Sequence, residues 1–144
     1  MKVLIAWDHY TIDLVEKIEK YLSKKSYIFE NIWSKDKDSK LLLQEIIPNV
    51  SEWVRNWSYD FWILICWTWA WVEIWANRFK NIRVSLCIKP DQAKFARIYD
   101  NANVLCLSSW LIDNPEEILD SWFNNTFDEN EKRLKMIEVF DSWD

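Results

Sequence analysis

The side chains best suited to chemistry gather in residues 60–78, DFWILICWTWAWVEIWANR. Residues 61–65 are a short apolar run of the kind that forms a strand covered on both faces, and WVEIWANRF then changes to helical spacing. Cys66 therefore falls at a strand's carboxyl end, where open α/β sheets bind ligands, and with Thr68 in the following loop it makes a candidate reactive pair of thiol and hydroxyl. A strand-to-helix loop that closes round an anion normally uses Gly, because its backbone N–H groups must approach the ligand. Here that loop carries Trp67, Trp69 and Trp71. The only His, His9, follows Asp8 at the end of another apolar stretch, residues 2–7.

The elements that must position these residues follow from periodicity. Residues 2–7 read as the first strand. Thr11 can cap the next helix, in which Ile12, Val15, Ile18, Tyr21 and Leu22 form the apolar face. Residues 27–32 read as a second strand and 34–39 as a solvated loop. Residues 41–56 read as helix, kinked or divided by Pro48. After the third strand come a helix over 71–79, a strand over 82–88, a helix from Pro90, a strand over 103–107, and helices over 115–123 and 130–140. Alternation of this kind predicts a parallel five-stranded sheet with helices on both faces and right-handed crossovers. The loops at its carboxyl edge would bring together Asp8-His9, residues 66–71 and Tyr99-Asp100-Asn101.

Composition narrows the function. At 144 residues the chain reads as one domain. A net charge of −5 argues against a nucleic-acid surface. The apolar start is too short for a signal peptide and no run reaches membrane-spanning length, which leads to the expectation of a cytoplasmic protein away from membranes. Cys66, Cys87 and Cys106 are odd in number and lie on strands, as expected of thiols in a reducing compartment; with one His and no CxxC spacing, no metal site is expected. Gly at the usual ~7% would give about ten residues; the chain has none, and has 12 Trp. One rule explains both numbers: most of these Trp stand where an ancestral chain has Gly, by design or through a codon read differently.

With Gly written for Trp, three stretches become IAGDH, DFGILICGTGAGVEIGANRFKNIR and DNANVLCLSS. So written, residues 1 to about 123 resemble the ribose-5-phosphate isomerase B and galactose-6-phosphate isomerase family, most specifically in ILICxTxxxxxIxANR followed by ANVLCL. Trp7, Trp57, Trp62, Trp67, Trp69 and Trp71 match family glycines and Trp75 a small residue, whereas Trp110 and Trp122 do not. The resemblance implies a Rossmann-like three-layer α/β/α sandwich and a homodimer, possibly a tetramer, with interface active sites. The carboxyl-terminal helix, about 130–141, would pack on the partner subunit. It also implies aldose–ketose interconversion of a sugar phosphate without metal or organic cofactor. Ribose 5-phosphate is the leading substrate and galactose 6-phosphate the alternative; an inactive sugar-phosphate-binding relative is a third reading.

In the mechanism so implied, Cys66 takes a proton from the carbon beside the sugar carbonyl, giving a cis-enediolate. The thiol would be held near thiolate by the following helix's amino terminus. Backbone N–H groups of residues 67–71 and the Thr68 hydroxyl would hold the enediolate oxygen, and Asp8 and His9 would face the substrate's hydroxyl end or ring oxygen. Some relatives use a Glu just after the loop; that position is Val72, and Glu73 is about 100° further round the helix. Departures are also present. The His-Asn-Asp run assigned to ring opening reads Tyr99-Asp100-Asn101, leaving a Tyr phenol as the proton donor. An Asp-Tyr-Pro motif reads Leu42-Leu43-Gln44. The Gly-Gly-Arg-His phosphate segment reads Glu129-Asn130-Glu131-Lys132, with Lys135 on a family arginine position and Arg133 close by as phosphate ligands.

Overall fold

A computed structural model describes residues 1–8, 10–32, 43–56 and 58–143; His9 and Leu42 lie outside the described residues. Five strands, β1 (Lys2–Trp7), β2 (Ile28–Asn31), β3 (Phe61–Cys66), β4 (Val84–Leu86) and β5 (Val104–Ser108), form one parallel sheet in the order β2-β1-β3-β5-β4. The helices are α1 (Ile12–Lys24), α2 (Leu43–Arg55), α3 (Ala70–Ala76), α4 (Pro90–Ile98), α5 (Glu116–Phe123) and α6 (Glu131–Asp141). This is the α/β sandwich that strand–helix alternation predicts.

The central strands are apolar almost throughout because helices cover both faces, so beyond the first residues of β1 and β3 their side chains are shut off from water. Residues 3–7, 62–66 and 104–108 are all buried. One helical layer is held by contacts between α1 and α5, where Tyr21 donates to Asp120 at 2.7 Å and stacks on Phe123. Desolvation and that carboxylate keep the Tyr21 phenol protonated well above its ordinary range. Pro48 does not divide α2: the helix runs on through it, with Ile47, Val50 and Val54 buried along one side. Packing of that stripe outweighs the one hydrogen bond a proline removes. Thr11 occupies the α1 cap position, but its hydroxyl donates to the Asp8 carbonyl at 2.8 Å and not to the helix.

Leaving β1, the chain goes to β2 on one side and then to β3 on the other, so the strand order reverses at the β1/β3 boundary. That boundary is where a crevice opens at the carboxyl edge of such a sheet. Trp7 pairs with Ile65 there, and the Asp8 N–H continues the ladder to the Ile65 carbonyl at 3.1 Å.

Candidate active site

The first residues beyond that ladder are Asp8 and Cys66. Cys66 is 4% exposed, and the loop after it is tied down from three sides. Asp8 Oδ2 accepts the Trp67 N–H at 2.9 Å, while Oδ1 accepts that of Tyr10 at 3.0 Å. Ser108, fully buried at the end of β5, donates its hydroxyl to the Trp67 carbonyl at 2.7 Å. The Ser109 N–H reaches the Cys66 carbonyl at 3.2 Å, and the Cys106 thiol lies 3.9 Å from the Trp69 carbonyl. The carboxyl ends of β1, β3 and β5 thus fix one short loop.

The thiol's electrostatics correct one expectation. Burial, then a hydrogen bond and charge repulsion from the Asp8 carboxylate, push the Cys66 thiol up from its ordinary value. Backbone N–H groups of Trp69 and Thr68 pull it down, but less strongly. The helix cannot hold a thiolate alone because α3 is only seven residues long and a carboxylate faces the same sulfur. Trp67 is also spent as an anion donor, since its N–H already belongs to Asp8. That leaves residues 68–71 to receive an oxyanion.

The tryptophans of the loop differ in what they do. Trp69 caps α3 with φ 77°, ψ −34°, a left-handed conformation that a side chain with a Cβ resists. Trp67 and Trp71 have ordinary backbone and are largely exposed, Trp67 beside Trp110 and Trp71 edge-on to Trp75 at 5.2 Å between ring centres. Val72 is fully buried. Glu73 turns toward β4, where its carboxylate accepts the Leu86 N–H at 3.3 Å; burial pushes the Cys87 and Cys106 thiols up, and the Glu73 charge adds to it.

The second half of the predicted site is elsewhere. Tyr99, Asp100 and Asn101 follow α4, which runs back across the sheet, so they lie at the amino-terminal edge and not among the carboxyl-end loops. Five strand residues separate the two edges, about 16 Å at 3.3 Å per residue. There the Arg133 guanidinium sits 3.9 Å over the Tyr99 ring and pairs with Asp128. A cleft of about 460 Å³ beside β4 and α6 is lined by Tyr99, Asp100 and Arg133. Lys135 instead pairs along its own helix with Glu131 at 2.8 Å and faces solvent. α6 buries none of its residues, leaving Met136, Val139 and Phe140 exposed. Sequence reasoning missed Ser108; its position just after the apolar β5 run was the available signal. Among the described residues no cluster of three or more His, Cys, Asp or Glu could hold a metal ion, and no helix is long and apolar enough to cross a membrane.

Comparison with known proteins agrees with this fold. A crystal structure of a ribose 5-phosphate isomerase from Thermotoga maritima superposes with a TM-score of 0.90 at 31% identity, over 99% of this chain and 98% of that one. The ribose-5-phosphate isomerase B of Mycoplasma genitalium, solved with bound ribulose-5-phosphate, gives 0.86 at 29% identity over 97% and 93% of the two chains. A 4-deoxy-4-sulfo-D-erythrose isomerase from a Clostridium species is 29% identical over 78% of this chain and 70% of its own length, so related chains act on more than one sugar. The family profile described as Ribose/Galactose Isomerase matches residues 3–138, and the chain belongs to that family.

Proposed function

We propose that the protein is an aldose–ketose isomerase that interconverts ribose 5-phosphate and ribulose 5-phosphate in the cytoplasm through a cis-enediolate. The observation that carries this is the thiol of Cys66 at the sheet's switch point, with the N–H groups of Thr68 and Trp69 directed at its sulfur. In the free chain the thiol is held neutral, and Asp8, hydrogen-bonded to it, is the group able to receive its proton. The thiolate then removes the proton on the carbon next to the carbonyl. The electron pair moves into the enediolate, whose oxygen is held by the N–H groups of residues 68–71 and the Thr68 hydroxyl. Returning the proton to the neighbouring carbon, while the hydroxyl proton passes from one enediolate oxygen to the other, completes the isomerisation, and no cofactor enters.

Tyr99, Asp100 and Arg133 belong to the same reaction only if a partner subunit supplies them, since in one chain they lie at the far edge of the sheet. The unburied apolar side of α6 supports a homodimer with two shared sites, whether or not dimers pair further. Arg133 would then hold the phosphate and Tyr99 would donate the ring-opening proton; Lys135, which the family resemblance adds as a phosphate ligand, lies on another side of α6, paired with Glu131. His9 joins the substrate-facing set on the strength of the family resemblance. A tyrosine at position 99 favours, as second reading, a galactose-6-phosphate isomerase subunit. Turnover measured on ribose 5-phosphate and on galactose 6-phosphate separates the two. Ribose turnover undiminished in Cys66→Ala refutes the mechanism, and thermal stabilisation by sugar phosphate without turnover would leave only a binding protein.

A further inference from the structure

The half-site beside β4 is carried by a helix that packing does not hold. α6 buries none of its residues, so apolar contact within the chain does not fix where Arg133 stands. Among the described residues, two ion pairs tie α6 to the rest of the chain, one near each end. In the first turn Arg133 pairs with Asp128, whose own N–H is donated to the Ile98 carbonyl at the end of α4 at 3.2 Å. At the last residue of the helix, Asp141 takes the Arg83 guanidinium, its two oxygens lying 3.1 and 3.3 Å from Nη1.

A bound sugar phosphate would loosen the first of these ties, because its charge competes with the Asp128 carboxylate for the Arg133 guanidinium. The second is better protected. The side chains of Arg83 and Asp141 are only 16% and 26% exposed. Arg83 is also fixed at its backbone, where its N–H is donated to the Asn103 side chain at 2.9 Å. Its Nε donates to the Asn101 carbonyl at 2.8 Å, and Asn101, two residues after Tyr99, stands at φ 49°, a left-handed conformation that Asn tolerates. One guanidinium thus holds both the backbone that follows Tyr99 and the end of the helix that carries Arg133.

We propose that Arg83 and Asp141 are positioning residues of the half-site: their ion pair keeps α6 seated when Arg133 leaves Asp128 for a sugar phosphate, so that Arg133 stays beside Tyr99. The inference rests on Arg133 being the phosphate ligand. Asp141 lies about two turns beyond Arg133, about 12 Å along the helix, so its removal reaches the phosphate only through the placement of α6. Without the pair, binding has to order the helix as well as the ligand, and affinity falls by that cost.

Calorimetric titration with ribose 5-phosphate, alongside steady-state kinetics, tests this. Asp141→Ala should weaken binding about fivefold, the worth of one partly screened ion pair, and Asp141→Glu should recover most of that loss. The value of kcat should stay within about twofold, because a phosphate contact acts alike in the ground and transition states. Loss of folded protein would instead lower kcat and leave the dissociation constant alone. In an Arg133→Gln background, itself weaker in binding than the parent, Asp141→Ala should add nothing, since both changes act through one guanidinium. Unchanged binding by Asp141→Ala, with Arg133→Gln weakened, overturns the proposal and leaves Arg133 as the phosphate ligand. Fully additive losses overturn it as well. Unchanged binding by Arg133→Gln, or none by the parent chain, removes the contact on which it rests and overturns both readings.

Discussion

The carboxylate of Asp8 accepts the backbone N–H of Trp67 at 2.9 Å and hydrogen-bonds the thiol of Cys66, so one side chain from β1 controls both the reactive sulfur and the first residue of the loop above it. The N–H nearest the sulfur along the chain is thereby withheld from any oxyanion. The same charge opposes ionisation of the thiol it touches.

A pH profile reads this relationship. Because the folded thiol titrates above its ordinary value, kcat/KM for the proposed isomerisation should climb with pH until the thiolate dominates, on the alkaline side of 9. Asp8→Asn removes the repulsion, so the inflection should move down. On the plateau, where the thiol is ionised without help from a proton acceptor, turnover should change little. An inflection unmoved by Asp8→Asn would break the coupling.

Ser108 is predicted to act through the loop and not on the substrate. Its buried hydroxyl holds the Trp67 carbonyl at 2.7 Å, and Ser108→Ala leaves that carbonyl short of one donor, at a cost of about 1–2 kcal/mol. Denaturant unfolding should show this loss. If the loop's N–H groups bind the enediolate, kcat should drop more than KM rises, because the oxyanion position is the part disturbed. Restoring the hydroxyl with Thr should recover part of both.

Much of this arrangement was legible in the sequence, for definite reasons. Apolar runs bounded by turn residues gave the strands, and the change of period after Cys66 gave the loop. The error at Tyr99 came from attaching it to the strands' carboxyl ends, when a helix of nine residues carries the chain back to the opposite edge before that motif begins. The thiol's direction of shift was hidden for another reason. It depends on Asp8, which lies far away in sequence and meets Cys66 only because β1 and β3 pair in register. Periodicity likewise says nothing of Arg83 and Asp141, 58 residues apart in the chain, which meet only because α6 ends beside the start of β4.

Shared sites predict complementation. Cys66→Ala subunits mixed with Arg133→Gln subunits should regain activity that neither has alone. Random exchange between two dimers places both intact residues in about one quarter of the sites, so recovery should approach that fraction of wild-type turnover. Recovery of none, with mixed dimers demonstrated by mass, would place the complete site within one chain.

Alkaline titration offers a test independent of catalysis. Burial and the nearby Glu30 carboxylate push the Tyr59 phenol up to about 12. A phenol with a raised folded value adds stability that is complete below its unfolded value near 10 and is lost as pH climbs toward 12. Melting temperature should therefore fall across that window more steeply in the parent chain than in Tyr59→Phe. Phenolate absorbance for this residue should appear only at the top of it.

Trp69 supplies the sharpest contrast because its backbone, and not its side chain, is out of place. At φ 77° any residue with a Cβ is strained by about 1–3 kcal/mol, a cost glycine escapes. Trp69→Gly should consequently be more stable than Trp69→Ala by about 1 kcal/mol, reversing the usual order in which glycine is the worse of the two. Trp71, on the first turn of α3 with ordinary dihedrals, should keep the usual order, Ala above Gly by about 0.5–1 kcal/mol. Comparing Gly with Ala at each site cancels the packing that either loses with the indole. The opposite sign at the two positions would mark residue 69 as a glycine position occupied by tryptophan. An intact mass of the natively expressed protein lighter than the written sequence would identify the occupant in the living source as glycine; equal stability of Gly and Ala at 69 would remove the backbone argument altogether.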